Sequence, residues 1–189
     1  MRAAGRDGQV FADALDAARH GDTAGLSVLY REFHPPLLRY LRSRERQLAD
    51  DLASETWVAV AQRITAFDGD RSAFSAWLFT IARHRLADFR RTSSRRRTDT
   101  VAEVSENARD TPTEQIAIDN LSAQAAVDRI VRVLTSDQAE VIMLRVLGDL
   151  SIAQVARVMG RDVVWVGVTQ HRALERLATR FRSEMLVVR

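Results

Sequence analysis

The chain has 189 residues, of which 46% are hydrophobic and 28% charged, a composition typical of a globular protein with one medium-sized domain or two small ones. It has no cysteine and only 4 dispersed histidines, which excludes disulfides and thiolate metal sites, so we expect neither a metal nor a cofactor. It also lacks a secretory signal and any run of the roughly 18 apolar residues that a membrane span needs, so we expect a cytoplasmic protein without membrane insertion.

Apolar residues recur at three- and four-residue spacing along the chain, a pattern that predicts an all-α fold. In the first half, this periodicity predicts helices over residues 9–19, 22–46, 50–67 and 72–91. The second of these must restart or kink at Pro35-Pro36, because proline lacks the amide hydrogen that an α-helix uses. The sequence Asp68-Gly69-Asp70 predicts the turn that separates the third helix from the fourth.

Charge is unevenly distributed around the middle of the chain. Residues 63–97 hold nine arginines and three aspartates, whereas residues 98–120 hold six acids and one arginine. This asymmetry indicates nucleic acid near the first stretch and repulsion from it near the second. Residues 93–116 are also rich in Ser, Thr and charge and have almost no large apolar side chains, which predicts a flexible polar linker.

The second half predicts a helix-turn-helix unit. Two Ser/Thr-x-x-Gln capping boxes, starting at Thr135 and Ser151, indicate where two helices begin. The short helix after Ser151 ends at Gly160, and Asp162 can cap the longer helix that follows. In DNA-binding proteins such a second helix enters the major groove, although an ordinary helical hairpin has the same pattern.

These elements predict two small helical domains joined by the flexible polar linker. The predicted segments are an N-terminal extension at 1–21, a first domain at 22–92, the linker at 93–116 and a second domain at 117–189. The linker would act as a tether between the two domains.

Aromatic residues and arginines are interleaved in RITAFDGDRSAFSAWLFTIARHRLADFRR, residues 63–91. Such a mixture can stack unpaired bases while it holds the backbone of a single strand. Most of the aromatic side chains, among them Phe74 and Trp77, follow helical spacing and are predicted to lie in the core. The sequence offers too few nearby acids to pair the arginines that follow them, Arg83, Arg85, Arg90 and Arg91.

Three acids cluster in ADDLASETW, residues 49–57, at the start of a predicted helix. Acids at a helix N-terminus are stabilised by the helix dipole, and a protein-binding face is a second explanation. A small helical enzyme that uses Asp50, Asp51 and Glu55 is a third. It has the least support, because no histidine, nucleophile or phosphate-binding loop accompanies the carboxylates.

Taken in order, these stretches resemble the extracytoplasmic-function (ECF) group of the sigma-70 family of bacterial RNA polymerase sigma factors. DDLASETWVAVAQRITAFDGDRSAFSAWLFTIARHRLADFRR resembles domain 2 of that family. LTSDQAEVIMLRVLGDLSIAQVARVMG, followed by QHRALERL, resembles its helix-turn-helix domain 4. The resemblance covers residues 22 to 182 and implies a transcription initiation factor without enzymatic activity.

The resemblance also implies partners and site residues. The DLxxETW-like helix would bind the β′ clamp helices of core RNA polymerase through Asp51, Leu52, Glu55 and Thr56. The next loop and helix would capture a flipped base and the strand of the −10 promoter element through Asp68, Gly69, Asp70, Arg71, Ser72, Arg83, His84, Arg85 and Arg90. Domain 4 would dock on the β flap and read the −35 element through Val168, His171, Arg172 and Arg176. An anti-sigma factor would hold such a protein inactive, and the acidic linker would pass toward the RNA exit path.

The sequence departs from the family pattern at two places. Ser54 stands where the family commonly has Gln. At the start of the last helix, Val164, Trp165 and Gly167 stand where a small residue, Thr and a basic residue are usual. The usual −35 contacts therefore do not carry over to these three positions.

A stand-alone helix-turn-helix regulator is the principal alternative. It would bind duplex promoter DNA tightly without polymerase, and it would have no use for the DLASETW helix.

Overall fold

The computed structural model describes the backbone of residues 2–97 and 114–187 and the side chains of residues 8–93 and 121–182. Within these ranges the chain is helical and contains no strand, which confirms the predicted all-α fold. The helices are α1 (Arg2–Arg19), α2 (Thr23–Arg44), α3 (Ala49–Arg63), α4 (Arg71–Arg97), α5 (Glu114–Val133), α6 (Ser136–Val146), α7 (Ile152–Met159) and α8 (Val163–Val187), with 3-10 turns at Arg46–Leu48 and Ile64–Ala66. In the described part of the chain, no helix is both long enough and apolar enough to cross a membrane.

The N-terminal extension packs as part of the first domain. Helix α1 buries Phe11 and Leu15, and the Phe11 ring packs edge-on against Phe33 of α2 and Phe74 of α4. A Cβ added at Gly25 of α2 would lie 2.5 Å from the carbonyl oxygen of Ala14, so glycine is needed where the two helices meet. The boundary drawn at residue 22 therefore falls inside one packed unit.

Helix α2 continues through Pro35 and Pro36 without ending. Both prolines lie in the middle of the helix, where each removes one main-chain hydrogen bond. Packing makes up for the loss, because the apolar face on either side of them is buried, with Leu29, Phe33, Leu37, Tyr40 and Leu41.

The two halves of the chain pack against each other, which the picture of two tethered domains did not anticipate. Helix α4 is buried on two sides, and its Ser75, Phe79 and Arg83, spaced four residues apart, face the second half. The Ser75 hydroxyl donates a buried hydrogen bond of 2.5 Å to the carbonyl oxygen of Gly148. A Cβ at Gly148 would lie 3.3 Å from the Phe79 ring, so glycine allows this close approach.

The predicted linker is shorter at both ends than expected. Residues 93–97 continue α4, and residues 114–116 belong to α5. Residues 98–113, on which the rest of this prediction falls, lie outside the described part of the chain.

The second half has the predicted helix-turn-helix geometry. Both capping boxes are formed, since Thr135 and Ser151 each accept a hydrogen bond from the main-chain N–H three residues on while that residue's side chain bonds back. Helix α7 ends at Gly160, whose φ of 63° is the left-handed conformation that glycine adopts at little cost. Asp162 then accepts a 2.7 Å hydrogen bond from the main-chain N–H of Trp165 at the start of α8.

Candidate functional site

Helix α3 exposes two of the four residues assigned to polymerase binding. Asp51 and Glu55 lie one turn apart on the exposed surface. Leu52 is buried, and Thr56 is fully buried, with its hydroxyl donating a 2.6 Å hydrogen bond to the Leu52 carbonyl oxygen. Both side chains therefore fix the helix on the core, whereas the two carboxylates face outward; the assignment of all four residues to polymerase binding stays a prediction.

Sequence reasoning missed Val58, which continues the same face. It lies three residues after Glu55 and seven after Asp51, and it is 56% exposed. The i, i+4, i+7 spacing of these three residues on a helix was the signal that could have revealed it. The face thus combines two carboxylates with an exposed apolar side chain, whereas the neighbouring Asp50 forms a 3.2 Å ion pair with Arg42.

The loop assigned to base capture is held in place from several directions. Asp70 caps α4 by accepting a 2.8 Å hydrogen bond from the Ala73 N–H. Arg71 pairs with Glu32 of α2 and lies 4.0 Å from Asp149 in the second half. The Gln154 side chain of α7 donates to both the hydroxyl and the carbonyl oxygen of Ser72, at 2.8 and 3.1 Å.

Helix α1 forms the opposite wall of a groove beside this loop. The groove has a volume of about 950 Å³ and is lined by Phe11, Asp16, Arg19, Glu32, Asp70 and Arg71, among others. Arg19 also lies 3.9 Å from Asp68, whose side chain is 95% exposed. The participation of α1 was not predicted from the sequence, because nothing in the spacing of its residues indicates that it turns back toward the loop.

Three of the arginines on α4 have acidic or carbonyl partners, which corrects the expectation that too few acids were near. Arg83 donates a 3.0 Å hydrogen bond to Glu140 of α6, and Arg91 pairs with Asp88. Arg90 donates a 3.0 Å hydrogen bond to the carbonyl oxygen of Arg44 and lies 3.9 Å from Glu45. Glu140, Arg44 and Glu45 lie outside α4, so these partners could not be identified by reading along the sequence. His84 is exposed, and Arg85 is half-buried.

Glu140 is the centre of a polar cluster between the two halves of the chain. Its carboxylate accepts hydrogen bonds from the Tyr40 hydroxyl at 3.2 Å, from Arg44 at 3.4 Å and from Arg83 at 3.0 Å. The side chains of Glu140 and Arg44 are each only 8% exposed. Burial raises the pKa of the Tyr40 hydroxyl and the Glu140 carboxylate raises it further, so Tyr40 remains a neutral donor.

The last helix, α8, presents one face to the core and the opposite face to solvent. Val166, Thr169, Ala173 and Leu177 are buried. The residues assigned to −35 recognition, Val168, His171, Arg172 and Arg176, are all exposed. Trp165 is half-buried against the core, with the Arg161 guanidinium 5.0 Å from its ring centroid. Trp165 is therefore held by contacts within the chain itself.

A basic groove that the sequence did not reveal runs beside this helix. It has a volume of about 830 Å³ and is lined by four arginines, one glutamate and three other residues, namely Arg132, Val133, Gln138, Arg172, Glu175, Arg176, Thr179 and Arg180. Arg132 comes from α5 and extends the basic surface beyond α8. Such a surface suits a phosphodiester backbone.

Comparison with known proteins places both halves in one family. Residues 29–96 match the description Sigma-70 region 2, and residues 124–177 match Sigma-70, region 4. The ECF RNA polymerase sigma factor BldN of Streptomyces coelicolor is 34% identical over 179 residues, which cover 93% of this chain and 67% of that protein. The ECF RNA polymerase sigma factor ShbA of Streptomyces griseus is 32% identical, covering 89% of this chain and 93% of that protein.

Solved structures share the fold. CnrH, in complex with the cytosolic domain of CnrY, superposes with a TM-score of 0.59 at 19% identity, over 92% of this chain and 98% of that one. The sigma factor RpoE from Bartonella quintana, in complex with the anti-sigma factor NepR, gives a TM-score of 0.55 at 24% identity, over 78% of this chain and 91% of that one.

We expect one substitution in the buried cluster around Glu140 to lower the stability of the chain strongly. Glu140→Ala would leave the Arg44 guanidinium buried without its carboxylate, so we expect the free energy of unfolding to fall by about 3–5 kcal/mol. Glu175→Ala removes the same charge from an exposed pair with His171 and should cost less than about 1 kcal/mol. Urea denaturation of the two variants measures the difference, and equal losses would show that the cluster does not stabilise the packed form.

Proposed function

The chain belongs to the extracytoplasmic-function group of the sigma-70 family of RNA polymerase sigma factors, and we propose that it directs core polymerase to promoters by reading their −10 and −35 elements. The observation that carries the proposal is the presence of both sigma regions, in order, on one chain. It is a binding role, exercised in the cytoplasm where the polymerase works, and it assigns no catalytic residue.

Core polymerase would bind the exposed face of α3. Asp51 and Glu55 supply negative charge to the β′ clamp helices, and Val58 supplies apolar area beside them. An interface of this kind gains specificity from the charges and affinity from the apolar contact. The first helices of the second half would dock on the β flap.

The −10 element would be read as a single strand. The loop Asp68–Ser72 borders a groove large enough for an unstacked base, and α4 carries Arg83, His84, Arg85 and Arg90 toward the strand. Extruding a base costs a few kcal/mol. Contacts of the arginines with the backbone, together with the binding of core polymerase, would offset that cost.

The −35 element would be read as duplex by α8. Val168, His171, Arg172 and Arg176 lie on its exposed surface, and the groove that includes Arg132 continues the positive charge alongside. Contacts to phosphates position such a helix, and contacts to base edges give it specificity.

Reading both elements at once would require the two halves to separate. The names of the elements place them about 25 base pairs apart, or roughly 85 Å at about 34 Å per helical turn. A compact chain of this length has a radius of gyration of only about 16 Å. In the packed form Arg83 is bonded to Glu140 and Ser72 to Gln154, so these −10 residues become available only when the second half moves away.

An anti-sigma factor is a further proposed partner. Its support is the resemblance to sigma factors whose structures were solved with such partners, RpoE with NepR among them. A partner of this kind should suppress transcription that depends on the chain.

Run-off transcription on a pool of genomic promoter fragments tests the proposal. With bacterial core polymerase, discrete transcripts should form only when the chain is added. A stand-alone regulator would instead bind duplex fragments tightly by itself and yield no new transcript. Failure of the chain to bind core polymerase would overturn the proposal.

A pair of charge-matched variants tests the polymerase-binding face. Asp51→Ala combined with Glu55→Ala should weaken binding to core polymerase roughly tenfold, or about 1.4 kcal/mol, because both carboxylates lie on the contact face. Asp13→Ala combined with Asp16→Ala removes the same charge from the exposed face of α1 and should leave the affinity unchanged.

Titration of labelled chain with core polymerase gives both affinities, and circular dichroism checks the fold. Equal affinities of the two double variants would show that α3 is not the contact.

The variant Arg172→Ala should bind core polymerase with normal affinity and give less run-off transcript, because Arg172 is assigned to the −35 contact.

A further inference from the structure

We infer that the apolar start of α8 reads thymine, through contact of Val164 and Val168 with C5-methyl groups in the major groove of the −35 element. The inference rests on the proposed function and adds to it a base specificity that the charged residues of the helix do not supply.

The two valines lie on the outermost face of the helix. At 100° per residue, Val164, Val168 and His171 fall within an arc of about 60°, opposite the buried residues Val166 and Ala173. Val164 is 75% exposed and Val168 is 43% exposed. This face points away from the core, as the reading face of a helix-turn-helix must.

The chemistry of these side chains restricts what they can read. Valine has no hydrogen-bond donor or acceptor in its side chain. Of the four bases, only thymine presents an apolar group, its C5-methyl, in the major groove. The two valine side chains can therefore favour one base over the others by contact with that methyl group.

Gly167 gives independent support for a close approach at the same place. It lies between the two valines in sequence, and a Cβ added there would meet no atom of the protein within 4 Å. Packing inside the chain therefore does not require glycine, although glycine weakens a helix. Gly167 borders this face, about 40° from His171 around the helix, and its missing side chain leaves room there for an external surface to approach the helix backbone.

The charges around the valines favour DNA as the occupant rather than a protein. Arg172 and Arg176 are exposed and border one side of the face, and the exposed Arg161 lies over the Trp165 ring on that same side. The acid on the face, Glu175, lies 3.2 Å from His171. An apolar strip bordered by arginines suits a groove in which methyl groups lie beside a phosphate backbone.

Replacing thymine with uracil removes the C5-methyl group and nothing else. Promoter fragments that give run-off transcripts with the chain are synthesised with single uracils at each thymine of the −35 region, on either strand. Binding of the holoenzyme should weaken about threefold to fourfold per contacted methyl, the equivalent of about 0.8 kcal/mol. Uracils in the spacer between the two elements are the matched control and should have no effect.

Valine variants identify which side chain makes each contact. In Val164→Ala or Val168→Ala holoenzyme, the effect of uracil at the contacted position should disappear, because a contact that is already lost cannot be lost twice. Gly167→Ala is a second probe: it should raise the melting temperature of the free chain by about 2–4 °C while weakening promoter binding.

The outcomes separate this inference from the proposed function. If transcripts depend on the chain but no uracil in the −35 region matters, methyl reading is wrong and the sigma role stands. If the valine variants bind core and keep the full uracil effect, other side chains contact the methyl groups and the inference is overturned. If the thymine promoters give no transcripts at all, the proposed function itself fails.

Discussion

The packing of the two halves of the chain depends on the hydrogen bonds of the buried Glu140 carboxylate. A buried charge costs several kcal/mol unless partners compensate it, and here the partners are Tyr40 and Arg44 of α2 and Arg83 of α4. All three belong to the first half of the chain, whereas Glu140 belongs to the second. The cluster is therefore complete only when the halves are packed, and the buried contacts of Ser75 and Phe79 with Gly148 form in the same arrangement.

In the packed form, one of the two proposed DNA surfaces is accessible and the other is engaged by the second half. The outer face of α8 is exposed while the halves are together, so duplex DNA could reach Val164 and Arg172 without any rearrangement. On α4, by contrast, Arg83 is engaged by Glu140, and the adjoining loop is held through Ser72 and Gln154. The proposed polymerase-binding face of α3 is also exposed. Under the proposed function, core binding would begin with the packed form, and single-strand contact would follow only after the cluster has been broken.

The helices and their ends could be predicted from the sequence, because capping and apolar periodicity depend on residues only a few positions apart. Thr135, Ser151, Gly160 and Asp162 mark helix ends in the structure as they do in the sequence. What could not be predicted depends on contacts between distant residues. Glu140 reads in the sequence as one more acid on an amphipathic helix, and its three partners lie between 57 and 100 residues away. The burial of Thr56 could not be predicted either, because a family motif gives the residue type at a position and not the direction in which its side chain points.

The separation of the two halves is measured most directly by energy transfer between two dyes. Since the chain has no cysteine, Ala24→Cys on α2 and Ala178→Cys on α8, both exposed, provide unique labelling sites. Because the halves pack together, we expect a short, narrowly distributed distance between the dyes in the free chain. In the holoenzyme on promoter DNA, the distance should lengthen toward the roughly 85 Å between the two elements. A long distance in the free chain would contradict the packing of the two halves. An unchanged short distance in the holoenzyme would contradict their separation on promoter DNA.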